Sequence, residues 1–525
     1  MTNLITIRPG DENYTPIVKE AIAKAQPGSE NVIEFEKGTY YFKKAGSDEY
    51  TSFSSGGKSQ KNNIIFPLVE KNNVTIKGNG SEFIFCDRVQ PFKIQSCENV
   101  KLQDFSIDFS FLRYAYAEVL AVCDEGVEIK LDNEIFDYYI DGGNICFVCG
   151  EEVLSTRLRK ISTKRIAPTK GYPVFLYVGD FDGAYNRAAQ NILLDAEETS
   201  RGIFLRYRKN NCHKMYFEPG DTVCLAYDND REMQAFYCDF SKNITLENVS
   251  IFRQGGMGFV ADICENIKLD RFKIAIKDGR REYYSTTADG IFLTNCKGEF
   301  SLVNSAVSSC YDDAMNVHGF YTETKEILPG NRVEIIHAYE DHWGLLPFLA
   351  GDELAFSTKD SFDQVAMAKI TDVYYAPDRM KMIVTLDKIP DNLTGGMLVE
   401  NVSRMPNVTV EGCRIENCPH IRLSAPEMLI RNNYFNLSAT DLYICDLIDF
   451  WRECGAVKHA LIENNEFGSN SPHNIEILSC RPDTSNHLHE NIIVRGNVFE
   501  KKKENALKVS GITNFVEENN VFGIK

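Results

Sequence analysis

The chain has 525 residues, 43% hydrophobic and 25% charged, with a net charge of -18 at pH 7; these are the proportions of a folded protein with a sizeable core. No Lys/Arg run is long enough to track a phosphate backbone, which excludes nucleic acid as the expected partner, and the negative field favours a neutral substrate over a polyanion. No apolar run reaches the roughly 18 residues of a membrane span, and MTNLITIRPGDENY lacks the regions of a signal peptide, so the expectation is a cytoplasmic protein without a membrane partner.

In chain order, residues 14–26 (YTPIVKEAIAKAQ) carry Ile17, Val18, Ala21, Ile22 and Ala25 at helical spacing, with Thr15 expected as N-cap and Pro16 at the first helical position. VIEFEKGTYYF (32–42) then alternates as a strand broken by a Gly turn. From residue 72 onward one unit recurs: Asn, a short alternating apolar strand, then a polar turn rich in Asn or Gly. NNVTIKGNG (72–80), ENVKLQDFS (98–106), KNITLENVS (242–250), ENIKLDRFK (265–273) and PNVTVEGCR (406–414) are examples, and MLIRNNYF, ALIENNEF, IIVRGNVF and FVEENNVF continue it to the C-terminus. Asn73 to Asn99 is 26 positions, and Asn243 to Asn266 is 23. A period in the twenties with one strand-turn signal per unit predicts a β-solenoid, in which each coil buries its inward residues only against its neighbours. Asn suits the corners because it tolerates the left-handed conformation and can bond along the stack.

Two stretches break the period. Residues 111–240 and 320–402 alternate with Gly-Asp turns, as in FEPGDTVCLAYD and MKMIVTLDKIPDNL, and predict two small antiparallel, barrel-like β subdomains inserted between coils. The expected organisation is all-β: an N-terminal cap and first coils at 1–110, an insertion at 111–240, central coils at 241–319, a second insertion at 320–402 and terminal coils at 403–525. The sixteen cysteines have no framework or zinc spacing and are expected to be reduced and mostly buried.

The densest polar segment lies between the insertions and holds RQGGMGF (253–259), TTADGIF (286–292) and SSCYDDAMNVHG (308–319). Asp289 precedes Asp312 by 23 positions and Asp313 by 24, one solenoid coil. Residues one coil apart stack about 4.8 Å apart, so Asp289 should lie beside the Asp312/Asp313 pair. Carboxylates that close should raise at least one pKa, which is what an acid–base pair needs, and glycoside hydrolysis is the commonest chemistry of that kind. The alternatives are a solvated Asp turn, a stacked polar ladder or a cation site. Asn316 and His318 alternate and so share a side: they read as partners of sugar hydroxyls or as a bonded corner Asn and a satisfied core His. Gly255, Gly256 and Gly258 mark either a crowded corner or close approach to a ligand. Trp343 and Trp451 could each present a flat face to a sugar or belong to a core.

The set GGMG, ADG, DDAxNVHG, PF…GDEL and FWxExG…IENNxF resembles the α-galactosidases of glycoside hydrolase family 110, over roughly residues 240–467. The resemblance implies a right-handed parallel β-helix and an inverting, exo-acting enzyme that removes terminal α-1,3-linked galactose without a cofactor or metal. It further implies Asp289, Asp312 and Asp313 as catalytic residues, one of Asp312/Asp313 as acid and the others as base. Asn316, His318, Trp451 and Glu453 match positions near the sugar, and Arg253, Gly256 and Trp343 are taken as further substrate contacts. NCPHIRLSAP (417–426) stands where that family tends to have an Arg-Gly motif. Rival readings are a polygalacturonase-like hydrolase, for which the Arg-Ile-Lys and Gly-His-Gly runs are missing, and a non-catalytic glycan-binding solenoid. The expected partner is an α-galactosyl glycan, and a homodimer is compatible with the sequence.

Overall fold

A computed structural model describes residues 2–53, 60–149, 152–155, 163–166, 193–207, 217–226, 233–339, 342–445, 451–479 and 488–524. The described chain is a parallel β-solenoid carrying two antiparallel insertions. A strand not foreseen from sequence, Thr2–Ile7, starts the stack by pairing in parallel with Glu30–Phe35. The helix Thr15–Ala23 closes that end, burying Val18, Ala21 and Ile22. Its N-cap is Tyr14 rather than Thr15. The Thr15 hydroxyl donates to the Lys43 carbonyl instead, while the Thr15 N–H is taken by the Asn13 side chain.

Two long sheets form the solenoid walls. The functional one runs through Gln90–Gln95, Phe236–Asp239, Phe259–Asp262, Ile291–Thr294, Met315–Phe320, His420–Leu423, Thr440–Cys445 and His473–Leu478. Register is unbroken along its central part: Phe92, Phe236, Phe259, Ile291, Met315 and Ile421 occupy successive rungs. All of these are buried in one continuous core. Because side chains alternate across a strand, the neighbouring positions Tyr237, Phe292, Asn316 and Arg422 form a column on the outer face.

The Asn repeats build two different ladders. Asn73, Asn99, Asn243 and Asn266 all have positive φ, and the side-chain amides of the last three each donate to the Asn one coil earlier at 2.8–3.0 Å. Towards the C-terminus a buried ladder runs through Asn433, Asn465, Asn497 and Asn520, each amide also donating to a main-chain carbonyl. Beside it the rings of Phe467, Phe499 and Phe522 stack with centroids 4.7 and 4.8 Å apart. The cysteines of the described residues are free thiols, most of them buried; Cys212 and Cys480 lie outside those residues.

The second insertion is a closed six-stranded barrel between Thr322 and Asn401, with a core of its own around Val333, Leu354, Phe356 and Val384. The first insertion is described only in part. Its described part is a six-stranded antiparallel sheet, ordered from Thr163–Ile166 to Leu193–Glu198, plus a three-stranded sheet. Closure is recorded only for the second insertion among the described residues, and much of 150–232 lies outside them. The strand Phe236–Asp239 already pairs with Gln90–Gln95 in parallel, so the solenoid resumes before residue 241.

Candidate functional site

The three aspartates sit at the corner that feeds the functional sheet. Thr286 bridges Cys310, and Ile291 pairs with Met315. Both steps are 24 positions, which puts Asp289 level with Asp313 and leaves Asp312 one residue off that column. Main-chain rungs lock the level: Gly258 N–H donates to Asp289 O at 2.9 Å, and Gly290 N–H to Asp313 O at 2.8 Å. A Cβ on Gly258 would stand 2.4 Å from Gly290 O, and one on Gly290 would stand 2.7 Å from Ala314 O. Gly258 and Gly290 are therefore explained by coils packed backbone to backbone. Gly256 has the same account, since its Cβ would fall 1.8 Å from Met233 O, whereas a Cβ on Gly255 would meet the Arg113 side chain at 2.4 Å. Asp289 and Asp313 are buried and Asp312 is half-buried.

Tyrosines of the first insertion brace this corner. The Tyr114 hydroxyl accepts from the N–H groups of Tyr283 and Tyr284 at 2.8 and 2.9 Å. Tyr284 meets Tyr311, the residue before Asp312, edge to face at 4.7 Å.

On the outer face, Asn316 and His318 stand on Met315–Phe320 and are only 3% and 2% exposed. Side chains that point away from the solenoid core yet are buried imply a roof, and parts of it are seen. Phe320 stacks on His342 of the second insertion at 4.3 Å, Tyr237 donates to Phe53 O at 2.7 Å, and Tyr339 meets Trp451 edge to face at 5.8 Å. His318 donates through Nδ1 to Gly319 O at 2.6 Å. Burial lowers its pKa against the pull of Glu453, so the ring is neutral and Nε2 is an acceptor. Neither that Nε2 nor Asn316 Oδ1 meets a hydrogen-bond partner among the described residues. Two buried acceptors on one side of the strand have the chemistry to accept from hydroxyl donors.

Glu453 reaches the site because Glu453–Cys454 pairs antiparallel with the end of the strand bearing Asn316 and His318. Its Oε1 lies 3.6 Å from His318 Nε2, and its Oε2 is bonded by Arg422 Nη2. Burial is the largest influence on Arg422 and works against its charge, but Glu453, Cys445, Asp313 and Tyr443 together hold its pKa above the ordinary value, so the guanidinium stays protonated. His420, two residues before Arg422 on His420–Leu423, places Nε2 2.9 Å from Asp313 Oδ1. Sequence reasoning did not single out His420 or Arg422. Their signal was the pairing of Asn316 with Arg422 across a single coil boundary that is interrupted by the whole second insertion.

Other expected site residues fall elsewhere. Arg253 is not brought to the aspartates. It is held by Glu282 through Nε at 3.0 Å and by Phe109 O at 3.0 Å, and it lines a separate cavity of about 180 Å³ with Phe111, Phe136 and Asp137 at the first insertion. Trp343 is 45% exposed on the second insertion. A further in-register carboxylate pair, Asp239 and Asp262, lies lower on the same face. Asp239 has Lys93 Nζ at 3.9 Å and Gln95 Nε2 at 3.0 Å; burial pushes its pKa up to about 6, against Lys93 and with Asp262. Asp262 accepts from the Thr294 hydroxyl. No group of three or more His, Cys, Asp or Glu converges as a metal site among the described residues.

No family model matches the chain. Curated proteins do. The chain is 27% identical over 467 residues to α-1,3-galactosidase B of Bacteroides thetaiotaomicron, covering 87% of this chain and 73% of that protein. It is 26% identical over 521 residues to α-1,3-galactosidase A of Shewanella woodyi, covering 96% and 82%. The chain is a homologue of the α-1,3-galactosidases. A third such relative, α-1,3-galactosidase B of Bacteroides fragilis, is 26% identical over 481 residues, 87% of this chain and 77% of that protein. Among solved structures, the A-module of the Azotobacter vinelandii mannuronan C-5 epimerase AlgE4 covers 98% of this chain and 92% of its own at 10% identity, with a TM-score of 0.39, too loose a likeness to compare sites.

Proposed function

We propose that the chain is an exo-acting, inverting glycoside hydrolase that removes terminal α-linked galactose, with α-1,3 the linkage its relatives' names support. The observation that carries the reading is the level placement of Asp289 and Asp313 on adjacent coils, with Asp312 beside them. Two carboxylates facing one another across a single rung can hold one water between them and take its proton. Asp312, off that column and the most exposed of the three, is the group in reach of a leaving oxygen, and acts as the acid. Asn316 Oδ1 and His318 Nε2 accept from sugar hydroxyls, and Trp451 offers an aromatic face at the roof.

The charge balance of the site also favours a neutral sugar, since carboxylates outnumber cations among its residues. The buried Arg422 guanidinium is already matched by Glu453, so it is not free to pair with a uronate carboxylate. The test is hydrolysis of α-1,3-galactobiose followed by NMR. Release of β-galactose as the first product supports an inverting α-galactosidase, whereas first release of α-galactose, or cleavage of polygalacturonate alone, overturns it.

A further inference from the structure

His420 has no role in the scheme so far, yet its Nε2 is 2.9 Å from Asp313 Oδ1. Its backbone is fixed by the sheet, since His420 O accepts from Ala314 N–H at 2.9 Å and His420 pairs with Thr440 one coil on. Its ring is set edge to face against Tyr443, centroids 5.7 Å apart. The side chain is 25% exposed and Asp313 only 7%, so the imidazole stands between the buried carboxylate and the outside. The neighbouring cation, Arg422, is bonded to Glu453, which leaves the imidazole as the donor that meets Asp313.

We propose that His420 is a positioning residue for Asp313: its Nε2–H holds Oδ1, so that Oδ2 is turned toward the water shared with Asp289. A carboxylate on a short side chain has two rotatable bonds, and one fixed oxygen removes most of that freedom. Proton abstraction depends on the remaining lone pair meeting the water along the line of attack, so the effect falls on the chemical step and not on sugar binding. The inference rests on the reading of Asp313 as a base.

The experiment compares wild type, His420→Ala, His420→Gln and Asp313→Asn by steady-state kinetics on an aryl α-D-galactoside and on α-1,3-galactobiose, with melting temperatures for each. Gln can put its amide N–H close to where Nε2 lies. His420→Ala is expected to lose about tenfold to a hundredfold in kcat, with KM within about threefold. In a single displacement, water attack and leaving-group departure share one transition state, so the loss should appear on both substrates. His420→Gln should recover most of it. The inference is overturned if His420→Ala keeps kcat within twofold of wild type, if its loss lies in KM, or if His420→Gln is no better than Ala at an unchanged melting temperature. An inactive wild type would take the functional reading down and this inference with it. An active wild type, an inactive Asp313→Asn and an unaffected His420→Ala would remove the positioning role alone.

Discussion

Replacing Arg422 by Met tests whether the frame of the site is electrostatic. Arg422 and Glu453 side chains are 10% and 8% exposed, and Glu453 also faces the neutral His318 ring at 3.6 Å. Met keeps the apolar stem but strands the carboxylate, and breaking a buried pair from one side costs about 3–5 kcal/mol. Glu453→Gln should cost a similar amount by stranding the guanidinium. The double variant strands neither, so it should be less destabilised than the sum of the singles by about 2 kcal/mol or more. A 525-residue solenoid does not unfold in one step, so the cycle is best read by native-state hydrogen exchange of the amides in Met315–Phe320 and His420–Leu423. Protection in those strands should fall in each single variant and return in part in the double. If Arg422→Met changes their opening by less than about 1 kcal/mol, the pair behaves like an exposed salt bridge. The buried-frame argument would then be wrong.

Asp289→Asn, Asp312→Asn and Asp313→Asn should each lower kcat by about a hundredfold to ten-thousandfold, with melting temperatures near wild type; near-full activity in all three would refute the site. Among them, Asp312→Asn should be least harmful on an aryl galactoside with a good leaving group, because such a group needs little protonation. Asn465→Ala removes the acceptor of the Asn433 N–H and the donor to Ile430 O, so thermal unfolding of the terminal coils should show a loss of about 2–6 kcal/mol for two stranded groups. Burial pushes the Asp441 carboxyl up to about 7, against donors from Asn474, Leu437 and Ser471. Its folded pKa thus exceeds the ordinary value near 4, so the protonated form stabilises fully below pH 4 and that contribution is lost as pH rises to 7, about 4 kcal/mol at the limit. The pH 4–7 fall in melting temperature should be shallower in Asp441→Asn than in wild type; equal slopes would refute it.

The repeat and its period were legible because a solenoid writes its register into the sequence: inward residues recur at each coil, and corner Asn residues mark the turns. The period also brought Asp289 to the Asp312/Asp313 pair, and rung pairing singled out Asp313. It was not sufficient by itself. A coil step of 23 positions likewise aligns Asp239 with Asp262, a pair whose neighbours are Lys93, Gln95 and Thr294. What separates the two pairs is the donors around them, which come from other coils and are invisible to a one-dimensional period. His420 and Arg422 were missed for a related reason. The strand that follows Met315–Phe320 in space lies a hundred residues later in the chain, so no local window contains both. Arg253 lies beside GGMG in sequence, but nearness in sequence does not fix direction; its guanidinium is held by Glu282 and Phe109 O.

The position of the second insertion bears directly on the chemistry. The barrel leaves the solenoid at Phe320, the last residue of the strand carrying Asn316 and His318, and the chain returns by Asn401, before the coil that brings His420 and Arg422. Site residues thus flank both stems of the insertion. A coil boundary is the one place where a solenoid can accept a folded unit without interrupting its core, since the inward column continues from Met315 to Ile421 across the gap. Inserting there lets the barrel roof the outer face with His342 and Tyr339 while the rungs beneath keep their register. A bare solenoid face would leave Asn316, His318 and the aspartates in water, where their electrostatic effects are screened. Roofed, the same residues act at low dielectric with geometry set by the sheet, so the rigid part supplies alignment and the insertion supplies the exclusion of water that makes alignment effective.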